Sequence, residues 1–334
     1  MRKTGLSIIV VLMLFIVGCS IGGQSGDEGD NIAPFTGLET TEDITKRPVA
    51  VMVSNQKAAR PQTGLSKADI VFEMLTEGNI TRFMAIYQSE EPDVVGPVRS
   101  AREYFADLAG NYDAIYTYQG AATHINELIK EKDIEHLEGA QYEDDGNLFV
   151  RETFRKSPHN SYLQFGAVYD VAKDKGYDVN LDIAPLTFLE KGEDVEGEDA
   201  NYVKIDYYGG VPIVEYTYDA SSKKYVRYND GEQTIELESE KPLEFDNLFI
   251  VEADHEVIDD ESRRAIDINS GGQGYLLQRG KIQYVEWENQ DGRIVPVLDG
   301  EVVPFVPGQT WINFVQTEPE SGVTEQVQIE NKDK

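Results

Sequence analysis

The pattern of apolar and polar positions divides the chain into two stretches with different periods. Up to residue 176, short apolar runs alternate with segments of helical spacing. The run at 48–53, Pro-Val-Ala-Val-Met-Val, is apolar throughout, which is typical of a strand buried on both faces. Two further apolar runs, 70–75 and 81–87, flank Glu77-Gly78-Asn79 and predict a β-hairpin. Strands alternating with helices predict an α/β fold class for this first stretch.

Three helices are predicted between these strands. They cover residues 101–109, 123–130 and 162–175, with Ser100, Thr123 and either Asn160 or Ser161 as N-caps. The third placement puts His159 beside a helix N-terminus, where the positive helix end disfavours the imidazolium and lowers its pKa.

From residue 202 onward the pattern changes to many short strands separated by turn signals such as Asn229-Asp230-Gly231. The predicted strands are 203–207, 212–218, 224–228, 247–252, 266–269, 274–278, 282–287, 302–305 and 310–315. This spacing indicates a β-rich second domain, either a sandwich or barrel-like. We expect Trp287 and Trp311 to lie in its core, with carbohydrate stacking as the alternative use.

Composition supplies the domain boundaries. We predict a lipoprotein signal peptide at 1–18, a flexible tether at 19–34, an α/β domain at 35–189, an acidic linker at 190–201, a β-rich domain at 202–318 and a polar tail at 319–334 that frays. The linker is dense in acids and glycines, but their spacing does not match an EF-hand, so we interpret it as an exposed connection.

The N-terminus has the pattern of an export signal that ends at a cysteine. Met1-Arg2-Lys3 precedes an apolar run at 8–17, and Ile16-Val17-Gly18-Cys19 matches the site of lipoprotein processing. An ordinary signal peptide and a buried helix are the alternatives. Because Cys19 is the only cysteine, we expect it to carry the lipid that anchors the protein to the membrane, and no internal disulfide.

Charge limits the classes of partner. The formal net charge is −31, and loss of Arg2 and Lys3 with the leader makes it two units more negative. Such a field argues against nucleic acid as a partner. The excess is uneven: residues 46–103 carry eight Lys/Arg and seven Asp/Glu, whereas 181–334 carry 13 and 34. We interpret the second half as a solvated acidic shell, with weak cation binding as the alternative.

A candidate anion site centres on Val95-Gly96-Pro97-Val98-Arg99-Ser100-Ala101-Arg102, which is predicted to be a strand exit, a turn and a helix start. Guanidinium groups beside a helix N-terminus suit carboxylate or phosphate. The full candidate set is Arg60, Arg82, Arg99, Arg102, Arg151, Arg155 and Asn160. The alternative is that these arginines pair with neighbouring carboxylates and only hold turns in place.

A candidate catalytic set consists of Glu73, Glu77 and His159. On a regular strand, Glu73 and Glu77 would share one face, as an acid/base pair or as the solvated face of an edge hairpin. His159 would be a neutral acid or base, or a histidine bonded to the backbone in a turn. His124 and His136 are expected at the surface or at helix ends. We find no metal-ligand spacing and no cofactor motif.

Several of these motifs together resemble the YerB family of bacterial extracytoplasmic lipoproteins. They are Arg47-Pro48-Val49-Ala50-Val51-Met52-Val53, the run from Ala59-Arg60-Pro61-Gln62 to Glu73, Thr81-Arg82-Phe83, residues 95–102, Arg155 with Pro158-His159-Asn160, and Pro307-Gly308-Gln309-Thr310-Trp311-Ile312. The resemblance implies a three-layer αβα N-terminal domain, a smaller β-rich C-terminal domain and a lipid-anchored product of a Gram-positive-type bacterium. It implies no particular activity. Family members often have a histidine before the small-residue turn that follows the 113–118 strand, where this chain has Tyr118-Gln119-Gly120.

Two hypotheses for function follow. The first is a binding or accessory protein at the outer face of the cytoplasmic membrane, which takes an anionic envelope ligand or an acidic segment of a protein partner. The second is a cell-envelope hydrolase or transferase that uses Glu73 or Glu77 as base, His159 as acid and the arginines to stabilise a developing anion. The sequence leaves the ligand and the oligomeric state open.

Overall fold

Strands dominate the part of the chain that the structure describes. The structure, a computed structural model, describes residues 31–142, 145–207, 210, 212–317 and 326–332. The helices are α1 (Glu103–Asn111), α2 (Thr123–Glu131) and α3 (Val168–Asp174). The strands up to residue 164 are β1 (Asn31–Ile32), β2 (Glu39–Thr40), β3 (Val49–Ser54), β4 (Ile70–Leu75), β5 (Thr81–Tyr87), β6 (Val94–Val95), β7 (Ile115–Tyr118), β8 (His136–Glu138), β9 (Phe149–Arg151) and β10 (Ser161–Gln164).

The remaining strands follow residue 197. They are β11 (Glu198–Asp199), β12 (Tyr202–Asp206), β13 (Ile213–Asp219), β14 (Lys224–Asn229), β15 (Glu232–Gln233), β16 (Glu244–Phe245), β17 (Asn247–Ala253), β18 (His255–Val257), β19 (Arg264–Ile266), β20 (Gly272–Gln278), β21 (Lys281–Gln290), β22 (Arg293–Leu298), β23 (Glu301–Val302), β24 (Thr310–Gln316) and β25 (Val327–Glu330).

A central mixed sheet contains strands from both halves of the chain. Its order is β23-β22-β21-β20-β17-β24-β4-β5-β3-β7-β8, with β11 added beside β21. The two halves join where β24 pairs in parallel with β4, with Trp311 opposite Val71. The late strand β24 therefore lies in the middle of the sheet, and the first half cannot complete this sheet without the second.

The strands predicted from the first apolar runs are confirmed. All six residues of β3 are buried, as the continuous apolar run requires. β4 and β5 form the predicted antiparallel hairpin, with Leu75 opposite Thr81. These elements were predictable because burial on both faces leaves mainly apolar runs in the sequence, continuous in β3 and interrupted by Glu73 in β4 and Arg82 in β5.

Different layers cover the two faces of the central sheet. On one face, α1 and α2 pack through side chains such as Phe105 and Ile129 against Met52 and Phe72. On the other face lies a second antiparallel sheet, β15-β14-β13-β12-β25, with β16 beside β14. Tyr216 of this second sheet belongs to the core on that face. Next to it, the small sheet β6-β10-β9 and α3 complete the layer.

The predicted fold class, a three-layer αβα N-terminal domain plus a smaller β-rich C-terminal domain, is wrong in its three αβα layers, whereas the division into two domains fits. Among the residues that the structure describes, strands account for 43% and helices for 13%, so helices cannot supply two outer layers. The layer opposite α1 and α2 is built mainly of antiparallel strands. The late strands also do not close on themselves as a sandwich or barrel, because β17 and β20 to β24 join the central sheet while β12 to β16 form the second one.

Two helix predictions also need correction. α1 begins at Glu103, and its N-cap is Arg102, which makes no side-chain capping bond, so Ser100 is not the cap. Residues 161–164 form the strand β10, and the helix predicted at 162–175 is reduced to α3 at Val168–Asp174. The apolar residues Leu163, Phe165 and Val168 that suggested one long helix are instead shared between a strand and a short helix in the same core.

The chain ends differ from the predicted tether and tail where the structure describes them. β1 pairs with β2, so residues 31–34 are packed and do not belong to a free tether. β25 pairs with β12 within the segment predicted to fray. Cys19, the signal peptide and the rest of the tether lie outside the described residues. Helices long and apolar enough to cross a membrane are absent from the described part of the chain.

Candidate functional site

Three predicted arginines meet where β5, β6 and the start of α1 come together. Arg82 is 2% exposed on β5, and its Nη1 donates to the carbonyl oxygen of Ser100 at 2.7 Å. Its Nη2 donates to Glu77 Oε1 at 3.1 Å. Arg102 Nη2 donates to the other oxygen of the same carboxylate. One negative charge is therefore shared by two guanidinium groups.

The mutual influence of these charges is visible in their pKa values. Burial lowers the pKa of Arg82 to about 10, and the neighbouring charges of Arg102 and Arg99 act in the same direction while Glu77 opposes them. Burial raises the pKa of Glu77, but Arg82 and Arg102 outweigh it and hold the pKa below its usual value. Glu77 thus stays ionised, and the group keeps a net positive charge.

The loop between β9 and β10 brings a further arginine and a histidine to this group. Arg99 Nη1 donates to the carbonyl oxygen of Pro158 at 3.1 Å. Burial lowers the pKa of His159, and Arg99 and Arg155 lower it further. A lowered pKa was predicted, but its cause is desolvation and two cations, since β10 and not a helix follows His159. We call Arg82, Arg99, Arg102, Arg155 and His159 the cationic cluster.

Several polar atoms in and beside the cationic cluster are buried without a hydrogen-bond partner among the described residues. They are Arg99 Nε, Arg102 Nε, His159 Nδ1 and Tyr162 Oη. A buried donor without a partner costs about 1–3 kcal/mol, so a concentration of such atoms calls for an explanation. An anion or ordered water at this position would satisfy them.

The predicted arginines outside the cationic cluster, Arg60 and Arg151, are engaged elsewhere. Arg60 Nη1 forms an ion pair with Asp230 at 2.9 Å. Arg151 Nη1 donates to Asn160 Oδ1 at 3.0 Å across the β9–β10 hairpin. Arg155 of the cationic cluster also contacts the segment 58–61, because it donates to the carbonyl oxygens of Ala58 at 3.4 Å and of Pro61.

Glu73 does not belong to the cationic cluster. It is fully buried and pairs with Arg227, which is also fully buried, at 2.8 Å. The prediction that Glu73 and Glu77 share a face is wrong, because β4 ends at Leu75 and the Thr76–Ile80 turn redirects the chain. Glu73 contacts the second sheet while Glu77 meets Arg82 and Arg102, so the two carboxylates cannot act as a pair.

Comparison with known proteins now defines the family. Residues 35–178 match the family model described as "Protein of unknown function (DUF3048) N-terminal domain", and residues 203–312 match the corresponding C-terminal domain. The chain belongs to the DUF3048 family. A relative from Bacillus subtilis (strain 168), named "Putative lipoprotein YerB", is 46% identical over 286 residues, which are 85% of this chain and 86% of the relative.

A solved structure agrees with this assignment. The crystal structure of the YerB protein from Bacillus subtilis has a TM-score of 0.81 and 44% identity, and the match covers 90% of this chain and 99% of that one. The resemblance to the YerB family that the sequence motifs indicated is confirmed.

Sequence reasoning missed several residues of this DUF3048 protein. Arg227, the partner of Glu73, lies on the same face of β14 as the buried Tyr225 and Asn229, but the sequence has no apolar alternation there that would mark this face as buried. Phe154 and Tyr162 lie in and after the β9–β10 loop; Phe154 is not among the predicted site residues, and Tyr162 is predicted to begin a helix. Their position beside Arg155 depends on how that loop folds and has no signal in the sequence.

The other predicted residues have mostly structural surroundings. Trp287 and Trp311 are core residues, as predicted. His124 is exposed, whereas His136 is buried on β8 and its Nδ1 lies 2.8 Å from the carbonyl oxygen of Ile134, so its placement at the surface is wrong. Groups of His, Cys, Asp and Glu able to hold a metal ion are not found within the described ranges.

Proposed function

We propose that this protein is a lipid-anchored binding protein of the cell envelope that holds an anionic ligand at the cationic cluster. The observation that carries the proposal is the set of unpartnered buried atoms on Arg99, Arg102 and His159. Guanidinium N–H groups that find no protein acceptor are suited to the oxygens of a phosphate or carboxylate, which accept charge-assisted hydrogen bonds.

The electrostatics around the cationic cluster support a small anion and not an extended polyanion. Arg82 and Arg102 share the single carboxylate of Glu77, so the cluster keeps positive charge available to a ligand. The chain as a whole carries a net charge of −31, which repels long anionic polymers such as nucleic acid. A ligand with one anionic group would meet attraction at the site without covering the acidic surface around it.

The proposed location at the membrane is supported by the N-terminal sequence and by the name of the Bacillus subtilis relative. The processing pattern ends at Cys19, and the Bacillus subtilis relative is named as a lipoprotein. Diacylglycerol on Cys19 would hold the folded part at the outer face of the cytoplasmic membrane of a Gram-positive-type bacterium. Two acyl chains suffice for stable anchoring. An envelope ligand or a protein partner would then be within reach.

The enzymatic alternative has less support. Glu73 is fully buried in its ion pair with Arg227, so it cannot reach a substrate. Glu77 has a lowered pKa and is held by two arginines, which makes it a poor proton acceptor. His159 alone provides a group able to exchange a proton, and it lacks a catalytic partner within the cluster.

Binding of inorganic phosphate tests the proposal directly. For the full chain purified in detergent, we expect saturable heat of phosphate binding in calorimetry. Arg99→Ala is expected to weaken it about 10- to 100-fold, because a hydrogen bond to a charged group contributes about 1.5–3 kcal/mol. Arg279→Ala, which removes an arginine paired with Asp246 at 3.7 Å in the second half, should leave the affinity unchanged. Equal losses in both variants, or no binding at all, would refute the site.

The pH dependence of sulfate binding is expected to report on His159. Burial and the charges of Arg99 and Arg155 place its pKa below the usual 6.5, so the ring is neutral at pH 7 and gains a positive charge on acidification. Sulfate remains a dianion, so its affinity should rise several-fold as the pH falls below the usual imidazole pKa of 6.5. His159→Gln should give a flat profile; the same rise in that variant would exclude His159 as the source.

A further inference from the structure

We propose that the anionic ligand is a sugar phosphate, with its phosphate in the cationic cluster and its sugar ring against Phe154. This inference rests on the proposed function and adds the class of ligand. It follows from two features that adjoin the cluster, an exposed aromatic ring and a cleft lined by amide side chains, and from Arg155 of the cluster, which connects them.

The exposed ring is Phe154 in the β9–β10 loop. Its side chain is 58% exposed, although it lies only 5.7 Å, between ring centroids, from the buried Tyr162. The guanidinium of Arg155 lies 5.6 Å from the Phe154 ring centroid. The loop is closed at its base by a hydrogen bond from the Glu152 N–H to the carbonyl oxygen of Asn160. The loop thus presents an aromatic face to solvent beside the cationic cluster.

The cleft lies next to Arg155 and is lined in part by Pro61, which this arginine contacts. It has a volume of about 380 Å³ and lies between the 57–62 segment and β14–β15. Its lining includes Gln62, Asn229, Gln233 and Thr234, with Lys57 and Arg60 also contributing. Gln62 is 1% exposed, and its Oε1 has no hydrogen-bond partner among the described residues. Arg155 reaches this cleft through its bond to the carbonyl oxygen of Pro61.

These surroundings favour a carbohydrate over other molecules that carry a phosphate. Amide and hydroxyl side chains both donate and accept hydrogen bonds, which matches a ligand rich in hydroxyl groups. The C–H face of a pyranose packs on an aromatic ring, whereas the polar edges of the sugar need such partners around it. The ion pairs of Arg60 with Asp230 and of Lys57 with Glu232 balance the charge at the cleft, so this part of the site suits a neutral group.

The volume of the cleft is also appropriate for a sugar. Small-molecule sites commonly enclose about 300–1,000 Å³, so the cleft has room for one or two sugar rings. A ligand that extends from the cationic cluster past Phe154 toward Gln62 would contact the cluster, the aromatic ring and the cleft. Inorganic phosphate would occupy the cluster alone, so comparing the two ligands measures the contribution of the sugar.

The test compares glucose 1-phosphate, inorganic phosphate and glucose as ligands of the full chain in detergent, by calorimetry. We expect glucose 1-phosphate to bind about five- to tenfold more tightly than phosphate, and glucose alone to bind weakly. Phe154→Ala should reduce the affinity for glucose 1-phosphate to near that for phosphate while leaving phosphate binding unchanged. Tyr284→Ala removes a residue that is 60% exposed on β21 and serves as the control, with no effect on either ligand.

The outcomes separate this inference from the proposed function. If the wild-type chain binds no phosphate, the proposed function fails. The proposal of a sugar phosphate is wrong if the wild-type chain binds phosphate but does not bind glucose 1-phosphate more tightly. It is also wrong if Phe154→Ala weakens the binding of both ligands equally. In either case the proposed anion site is still supported. Tighter binding of adenosine monophosphate than of glucose 1-phosphate would indicate that Phe154 contacts a nucleotide, and it would also overturn the inference.

Discussion

Replacing Arg227 with methionine is expected to lower the free energy of unfolding by about 3–5 kcal/mol, because it leaves a buried carboxylate without its counter-charge. Both side chains of the Glu73–Arg227 pair are fully buried. The positive charge of Arg227 is retained because the Glu73 carboxylate raises its pKa against the cost of burial. Loss of either partner therefore leaves a charge, or its neutralised form, in an apolar layer between two sheets.

The pair is the centre of a polar network that joins the two halves of the chain. Glu73 also accepts hydrogen bonds from Trp311 Nε1 at 3.1 Å and from Thr81 Oγ1 at 2.9 Å. Arg227 Nη1 donates to Thr234 Oγ1 at 2.8 Å, and its guanidinium lies 5.1 Å from the ring centroid of Trp311. Removing the arginine disturbs contacts of both β4 and β24, where the halves meet.

Denaturant unfolding followed by tryptophan fluorescence measures this effect. Lys281→Met is the matched control, because the Lys281–Asp199 pair is solvent-exposed and such pairs contribute at most about 1 kcal/mol. The double variant Glu73→Leu with Arg227→Met removes both charges and should recover part of the lost stability. A loss in Arg227→Met no larger than in Lys281→Met would contradict the structural role of the buried pair.

Replacing Trp287 with alanine is expected to lower the free energy of unfolding by about 3–5 kcal/mol. The side chain is fully buried on β21. Its Nε1 donates to the carbonyl oxygen of Glu252 at 2.5 Å, and its ring packs edge-on against Phe314, 5.6 Å between centroids. The substitution opens a cavity between β17, β21 and β24, and it leaves the Glu252 carbonyl without this donor.

Thermal unfolding provides the measurement, and the same strand offers the control. Tyr284 lies three residues before Trp287 on β21 but is 60% exposed, so Tyr284→Ala should change stability by less than about 0.5 kcal/mol. Similar losses in the two variants would mean that the strand tolerates truncation equally at both positions. That result would contradict the assignment of Trp287 to the core.

The elements that could be predicted from the sequence are those with a local signal. β3 was predicted because its apolar run is continuous. The β4–β5 hairpin was predicted because two mainly apolar runs, which contain Glu73 and Arg82, flank a glycine turn. Most of the longer strands of the second half were predicted within a few residues because turn residues bound them, but β22 and the short strands β11, β15, β16, β18 and β25 were not predicted. The start of α1 was misplaced because Arg102 caps it through backbone geometry alone, which has no side-chain signature.

The candidate site was predictable only as a set of residue types. The motifs marked Arg99, Arg102 and His159 as candidates, and the structure places them beside one another. The same reasoning included Arg60 and Glu73, whose partners Asp230 and Arg227 lie more than 150 residues away in the chain. A sequence does not indicate which of several carboxylates a given arginine meets, because the meeting depends on how the two sheets pack.

The sequence by itself determined the buried strands, the two core tryptophans and membership of the DUF3048 family, because each depends on short-range apolar spacing or on linear motifs. The tertiary structure alone decided that one sheet contains both halves, that Glu73 is withdrawn into an ion pair, and that Phe154 stands beside the cationic cluster. These outcomes depend on β24 inserting next to β4. A parallel pairing between residues about 240 apart is determined by the burial of both faces of the central sheet. It is not determined by the local conformational preference of either strand.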